Sequence, residues 1–421
     1  MTPLRIGIIP LTDCAPIAVA CERGFFRRHG IDARVTREAS WASLRDKLAA
    51  GALDAAHMLA PMPIAATLGI DPLAVPTITA FSLGLNGNAI TLSEELWSRM
   101  RAADGDATAA RPLPATALRR VIEDDRRRGR PPLRFAVVYP FSSHDYELRY
   151  WLAAAGIDPE ADVGLAVVPP PRMVECLESR TIDGFCVGEP WSSLAVRRGV
   201  GRIAITKLEI WSNSPEKVLA VRRDWADRHR ELHRAALRAL LEAAVWTDRA
   251  ENRAEVAHVL ASERWVGAPA SLLAGSLTGR IALAQDGEAV ELPDFHVFHR
   301  YAATFPWVSH AAWLVLQMLR WGQLARPVDV LDAAASVYRP DLYREAARDV
   351  GVSAPAADVK TEGTHAGPWS LAGADGATIA MGPDLFFDGG TFDPRALVAS
   401  LTRSPIASPR VDLGALAALN A

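Results

Sequence analysis

Four residues that could bind a small anion lie at corners where a predicted strand runs into a predicted helix. In "EASWASLRDKL", Ser40 is a good N-cap and Trp41 falls in the first helical turn. In "SSHDYELRYW", His144 sits at the opening of a helix that either preceding serine can cap, and in "CVGEPWSSL", Gly188 and Glu189 precede the helix. Such corners present unpaired backbone N–H groups and the positive end of the helix macrodipole. Donors that converge from several corners predict a site for a small anion.

Each of these side chains also has a simpler interpretation. The position of Trp41 is explained equally well by packing of its helix onto a sheet and by contact with a ligand. A neutral His144 could donate an N–H group to an anion, because the helix dipole disfavours a charged histidine at a helix N-terminus. The same position is also consistent with a histidine on the protein surface. Lys217, in "SPEKVLAV", stands directly before an apolar strand, where a lysine is usually solvated. Glu189 can accept a hydrogen bond or ligate a cation, so the residue types alone leave both interpretations open.

The sequence contains no catalytic signature: it has no GxSxG elbow, no Walker loop, no HExxH and no GxGxxG opening a helix. Of the ten histidines, His229 and His233 stand four residues apart at the start of a predicted helix, but they do so outside an HExxH motif, and the four cysteines show no CxxC spacing. We therefore predict a binding protein and not an enzyme, with no metal and no cofactor.

Short apolar strands alternate with helices around these corners, which predicts βαβ units and mostly parallel sheets. One series runs from "LRIGIIPL" to "DAAHML", and a second runs from "LRFAVVYPF" to "IDGFCVG", after a charged, proline-flanked stretch at 101–134. Long helices such as "HRELHRAALRALLEAAVWTD" follow. With 421 residues, 50% of them hydrophobic, the chain has room for two lobes, and a cleft between them is a natural place for a ligand.

The net charge, the apolar runs and the N-terminal sequence indicate which classes of partner and location to expect. A net charge of −3 and a pI near 6.4 argue against direct nucleic-acid binding, which needs a basic stripe. No stretch reaches the unbroken apolar length of a membrane span. A first strand begins almost at once in "LRIGIIPL", without the longer apolar run of a secretory signal, so we predict a cytoplasmic protein.

Several long segments resemble the solute-binding proteins of nitrate and bicarbonate ABC transporters: "LTDCAPIAVACERGFF", "EASWASLRDKL", "HMLAPMPIAATLGI", "SSHDYELRYWLAAAGIDP", "VVPPPRMVECL", "DGFCVGEPW", "PEKVLAVRRDW", "WVSHAAWLVLQMLRWGQL" and "FFDGGTFDP". The resemblance covers nearly the whole chain. It implies an α/β fold of the periplasmic-binding-protein-like type (type II), a two-lobed clamp that holds one oxyanion in the cleft between the lobes. We place lobe 1 at residues 1–85 and 206–400, lobe 2 at 86–205 and a C-terminal tail at 401–421.

The resemblance also implies the roles of the site residues. Trp41 and His144 are expected to donate N–H groups to the anion, Gly188 a backbone N–H, and Lys217 the countercharge. Where transport members have a glutamine, this chain has Asn88, whose shorter amide can donate directly or through water. A lysine at 217, in place of an acid, favours nitrate or nitrite bound without a metal ion over bicarbonate bound with one. The predicted ligand-binding set is Trp41, Asn88, His144, Gly188, Glu189 and Lys217.

The missing export signal makes the chain look like a cytoplasmic nitrate/nitrite sensor that pairs with a response-regulator-type antiterminator carrying an ANTAR RNA-binding domain. In such a system the ligand-free sensor sequesters the antiterminator, and ligand frees it to act on leader RNA of nitrate-assimilation genes, so the RNA contacts belong to the partner. The alternative is the solute-binding protein of a nitrate ABC transporter. A third reading, an enzyme related to thiamine-pyrimidine synthases, needs a cysteine-rich loop that this sequence lacks.

Overall fold

Two five-stranded sheets, one in each lobe, organise the chain in the computed structural model, which describes residues 1–404, 406–408 and 411–420. Helices cover the sheets, and three two-stranded ribbons complete the described part of the chain. This arrangement confirms the prediction of an α/β fold with two lobes.

The strands of the described residues are β1 (Thr2–Ile8), β2 (Ile31–Arg37), β3 (Ala55–Leu59), β4 (Thr77–Ser82), β5 (Leu85–Asn86), β6 (Asn88–Ser93), β7 (Arg134–Val137), β8 (Gly164–Val167), β9 (Gly184–Gly188), β10 (Gly201–Thr206), β11 (Lys217–Arg222), β12 (Arg280–Ala282), β13 (Ala289–Glu291), β14 (His296–Val297), β15 (Trp369–Ala372) and β16 (Thr378–Met381).

The α-helices of the same residues are α1 (Ala15–Glu22), α2 (Phe25–Arg28), α3 (Trp41–Ala49), α4 (Pro61–Thr67), α5 (Glu94–Ala103), α6 (Gly105–Ala109), α7 (Thr116–Arg127), α8 (Ser143–Ala154), α9 (Met173–Glu178), α10 (Trp191–Arg197), α11 (Lys207–Ile210), α12 (Arg223–Arg228), α13 (Arg230–Asp248), α14 (Arg253–Ala261), α15 (Ala270–Thr278), α16 (Val308–Arg320), α17 (Val330–Ala335), α18 (Pro340–Asp349), α19 (Leu397–Thr402) and α20 (Leu413–Leu419). Short 3₁₀ turns lie at Thr12–Cys14, Pro170–Arg172 and Ala250–Asn252.

Both sheets are mixed: in each, four of the five strands run in one direction, as the prediction of mostly parallel sheets requires, and one strand is reversed. The first has the order β2-β1-β3-β11-β4, in which β1 is parallel to β2 and β3, and β11 is antiparallel to β3 and β4. The second has the order β10-β6-β9-β7-β8, in which β7 is parallel to β8 and β9, and β6 is antiparallel to β9 and β10. The reversed strands β6 and β11 are those that follow a passage of the chain from one sheet to the other. They do not arrive by a helical crossover, the connection that keeps neighbouring strands parallel.

The chain passes between the sheets twice. The first sheet is built from residues 2–82 and 217–222, and the second from residues 88–206. Each sheet has its own apolar core, with fully buried strands such as β3 and β9. After the first passage the chain enters β6, and after the second it enters β11. The first residues of both strands therefore lie where the two lobes meet.

Two helices at the predicted corners begin where the sequence places them. The Ser40 hydroxyl accepts a hydrogen bond from the backbone N–H of Ser43 (3.1 Å) and caps α3. Of the two serines that could cap α8, Ser142 does so, since its hydroxyl accepts from the N–H of Asp145 (3.0 Å). Each cap holds the first turn of its helix at the carboxyl end of a strand.

The predicted tail packs against α16 and α17 through its described residues. Leu401 and Leu416 are buried, and the Arg320 Nε donates to the carbonyl of Ile406 (2.8 Å). The Asn420 amide accepts from the N–H of Val330 (2.8 Å). Positions 405, 409, 410 and 421 of the tail lie outside the described residues. Within the described ranges, no helix is long and apolar enough to cross a membrane.

Candidate functional site

Charged and polar side chains from both lobes meet in one buried group, which we call the interlobe cluster. None of its members is more than 5% exposed. Its members are Asp13, Trp41, His57, Asn88, His144, Glu147, Lys207, Glu216 and Lys217. Of the predicted set, the structure therefore brings together Trp41, Asn88, His144 and Lys217.

Lys217 is fully buried at the first position of β11. Its ammonium lies 2.9 Å from a carboxylate oxygen of Asp13 and forms a second ion pair with Glu216. It also stands 5.5 Å from the ring centroid of Trp41, a cation–π distance. Burial by itself lowers the pKa of Lys217, but the two carboxylates outweigh it and raise that pKa, so the lysine is charged at neutral pH.

Asp13 lies in the 3₁₀ turn after β1 and links Lys217 to His57 of β3, whose Nε2 is 2.9 Å from the second Asp13 oxygen. Burial raises the pKa of Asp13, yet the attraction of Lys217 and His57 is stronger, and the pKa falls well below its usual range. The His57 ring in turn meets the Trp41 ring edge-on, with centroids 5.8 Å apart. The indole of Trp41 is thus held by its neighbours on one side of the cluster.

Glu216 is the residue before β11, and it contacts more hydrogen-bond donors than any other carboxylate of the cluster. Its Oε2 accepts hydrogen bonds from Asn88 Nδ2 (2.8 Å), Ser143 Oγ (2.5 Å) and Lys207 Nζ (2.5 Å). Its Oε1 pairs with Lys217 and lies 3.3 Å from His144 Nε2. Burial raises the pKa of Glu216, but the attraction of its neighbours, among them the Lys207 and Lys217 ammonium groups, lowers that pKa well below the usual value, so Glu216 is ionised.

Several buried donors of the cluster have no hydrogen-bond partner among the described residues. They include the indole Nε1 of Trp41 and the Nδ1 of His144. Burial lowers the pKa of His144 to about 3, so the ring is neutral at neutral pH and one of its nitrogens carries a hydrogen. A buried polar group without a partner costs about 1–3 kcal/mol, which a bound acceptor can recover.

The corner at Gly188 and Glu189 closes the cluster on the side of β9. Gly188 pairs with Asn88 across β9 and β6, and a Cβ at Gly188 would lie 3.6 Å from a carboxylate oxygen of Asp13. The Glu189 carbonyl accepts from the N–H of Thr12 (2.9 Å), which ties the two lobes together. The Glu189 carboxylate accepts from Ser193 N (3.2 Å) in the first turn of α10. The side chain of Glu189 thus serves its own helix, and its contact with a ligand stays a prediction.

Sequence reasoning missed five members of the cluster: Asp13, His57, Glu147, Lys207 and Glu216. Glu216 stands next to Lys217, so a signal for it was present: two adjacent charges directly before an apolar strand. Glu147 and Lys207 lie in helices where a charged residue is ordinarily solvated, and nothing in their spacing marks them. Among the described residues, no three His, Cys, Asp or Glu side chains are grouped to hold a metal ion.

Comparisons with known proteins agree with this architecture. Residues 1–261 match the NMT1-like family. The chain is 38% identical over 354 residues to the nitrate import ATP-binding protein NrtC of Synechocystis sp., a match that covers 83% of this chain and 50% of that protein. This chain thus spans half the length of that relative. It is 31% identical over 405 residues to the bicarbonate-binding protein CmpA of Synechococcus sp., covering 93% of this chain and 84% of CmpA.

One solved structure is similar over almost the full length. The crystal structure of the periplasmic nitrate-binding protein NrtA from Synechocystis PCC 6803 superposes with a TM-score of 0.83 at 31% identity. The superposition covers 96% of this chain and 98% of that one. The fold is therefore the periplasmic-binding-protein-like α/β clamp that the sequence resemblance implied.

Proposed function

This chain belongs to the NMT1-like family, and we propose that it binds nitrate or nitrite in the interlobe cluster. One observation carries the proposal: Trp41 of lobe 1 and His144 of lobe 2 each have a buried ring nitrogen without a hydrogen-bond partner among the described residues, within the cluster that contains the Lys217 ammonium. Donors from both lobes allow one anion to hold the clamp closed.

The chemistry of the donors favours an anion that only accepts hydrogen bonds. Nitrate and nitrite have no hydrogen to donate, whereas bicarbonate carries a hydroxyl group. An indole N–H, a neutral imidazole N–H and one ammonium suit a weakly basic anion whose charge is spread over its oxygens. The relatives named for nitrate and for bicarbonate leave both anions as ligands to test.

For the cellular role, the comparisons favour the solute-binding protein of a nitrate ABC transporter over the sensor. The relatives are named for nitrate import, nitrate binding and bicarbonate binding. The antiterminator partner and the cytoplasmic location stay predictions. The two roles separate in a binding assay: a transport protein loaded with nitrate binds a nitrate permease complex, whereas a sensor binds an ANTAR-type antiterminator and releases it when nitrate is added.

Isothermal titration of the purified chain tests the ligand. Nitrate, nitrite and bicarbonate are each titrated with and without calcium. We expect micromolar binding of nitrate or nitrite that is the same with and without calcium. Binding of bicarbonate alone, or binding that requires calcium, would overturn the proposal.

A further inference from the structure

Two buried carboxylates of the interlobe cluster share a single ammonium group. Lys207 Nζ lies 2.5 Å from Glu147 Oε1 and 2.5 Å from Glu216 Oε2, and its third hydrogen bond goes to the carbonyl of Pro215 (2.6 Å). The three charged groups come from α8, α11 and the residue before β11, and their side chains are at most 3% exposed. Lys207 has therefore no capacity left to neutralise a further anion.

The cluster holds one more carboxylate than it holds ammonium groups. The carboxylates are those of Asp13, Glu147 and Glu216, and the ammonium groups are those of Lys207 and Lys217. A monoanion that enters this buried site increases the excess of negative charge, which a low-dielectric interior strongly disfavours. A proton that enters with the anion removes the added charge.

We propose that a monoanion binds the interlobe cluster together with one proton, which is taken up by the pair of carboxylates, Glu147 and Glu216, that shares Lys207. The inference rests on the proposed function, because nitrate is the anion used to test it. It adds to that function a specific proton acceptor and a dependence of affinity on pH.

Within the pair, Glu147 is the acceptor. Glu216 is surrounded by donors that favour its ionised form, as described above, whereas Glu147 Oε2 is buried without a hydrogen-bond partner in the described chain. Burial, opposed by Lys207, raises the pKa of Glu147 to about 7. The proton therefore costs little to add at neutral pH.

The other titratable groups that face the pair do not change charge in its place. Burial lowers the pKa values of His144 and His296 to about 3, so both rings stay neutral, and burial raises the pKa of the Cys186 thiol well above its usual value. Asp13 and Lys217 stay ionised through their mutual contact. Among the described contacts, His57 pairs with Asp13 and not with Glu147 or Glu216.

Two further buried carboxyls near the cluster have raised pKa values. Burial raises the pKa of Asp145, which pairs with Arg149 on α8, to about 6, and it raises the pKa of Glu189 to about 7. The Glu189 carboxylate contacts the first turn of α10, and neither carboxylate forms an ion pair with Lys207 or Lys217 among the described contacts. The variant Glu147→Gln therefore separates Glu147 from both other candidates for the proton.

The experiment is titration of nitrate into the full chain in buffers of different ionisation enthalpy, from pH 6 to pH 9. The dependence of the observed heat on the buffer gives the number of protons taken up. For an acceptor of this pKa we expect about half a proton per nitrate at pH 7 and about nine-tenths at pH 8. The Kd should rise about fivefold from pH 7 to pH 8 and about tenfold for each further pH unit.

Two variants complete the design. In Glu147→Gln, which keeps the size of the side chain, proton uptake and the pH dependence of Kd should both disappear. In Glu362→Gln, a matched buried glutamate that pairs with Lys360 and His310 outside the cluster, the proton count should equal that of the wild type. This control reports any loss of stability caused by removing a buried carboxylate.

The possible failures are distinguishable. Nitrate binding with a proton count near zero at pH 8, or Glu147→Gln that still takes up a proton, overturns this inference and leaves the proposed function standing. If neither the wild type nor Glu147→Gln binds nitrate anywhere in this pH range, the proposed function is wrong and this inference falls with it.

Discussion

Replacing Lys217 by methionine tests whether the ammonium holds the cluster together as well as binding an anion. The substitution keeps most of the side-chain volume and removes the charge that faces Asp13 and Glu216. Both carboxylates are then buried with fewer positive neighbours. Breaking a buried ion pair by removing one partner costs about 3–5 kcal/mol. That is a large part of the total stability of a protein, about 5–15 kcal/mol.

The pH dependence of this loss has a definite sign. In the wild type the folded-state pKa of Asp13 is lowered, so its contribution is present at pH values above its unfolded pKa and is lost as the pH falls through the folded value. In Lys217→Met the loss of the ammonium should raise the pKa values of both carboxylates relative to the wild type, so we expect the variant to lose most stability at neutral pH. The difference in unfolding free energy should therefore shrink by about 1 kcal/mol or more between pH 7 and pH 5.

Urea unfolding of both proteins at pH 7 and pH 5, followed by tryptophan fluorescence, measures these differences. The matched control is Lys360→Met, which removes an ammonium paired with Glu362 and Asp384 elsewhere in the fold. We expect the control to lose comparable stability and to keep its affinity for nitrate, whereas Lys217→Met should lose both. A Lys217→Met protein within 1 kcal/mol of the wild type at pH 7 would refute the reasoning, since buried pairs are expected to cost about 3–5 kcal/mol.

Three further substitutions follow from the geometry. His144→Ala should weaken nitrate binding at least tenfold, about 1.4 kcal/mol, and an unchanged Kd by calorimetry would remove His144 from the site. Trp41→Phe keeps the packing against His57 and removes the indole N–H, so the Kd for nitrate should rise about fivefold or more while the melting temperature changes little. Ser142→Ala removes the cap of α8 and should lower the unfolding free energy by about 1 kcal/mol in urea titrations, and an unchanged value would contradict the role of this cap.

Local patterns predicted the parts of the fold that depend on local interactions. The caps at Ser40 and Ser142, and the strands with an unbroken apolar run, lie where the spacing places them, because short-range hydrogen bonds and burial of one face determine them. The reversed direction of β6 and β11 was not predicted. Strand direction depends on how the chain returns from the other lobe, and no local pattern records that path.

The sequence by itself determined which residue types were available at the candidate site: an indole and an imidazole in the first turns of predicted helices, a lysine before a predicted strand, and an amide at the position that the family resemblance indicates. Only the tertiary structure decided the charges around them. Glu147, Lys207 and Asp13 belong to separate elements, and folding buries them beside Glu216 and Lys217. Electrostatic interactions act through space and strengthen on burial, so the ionisation of these groups follows from their three-dimensional neighbours and not from their spacing in the chain.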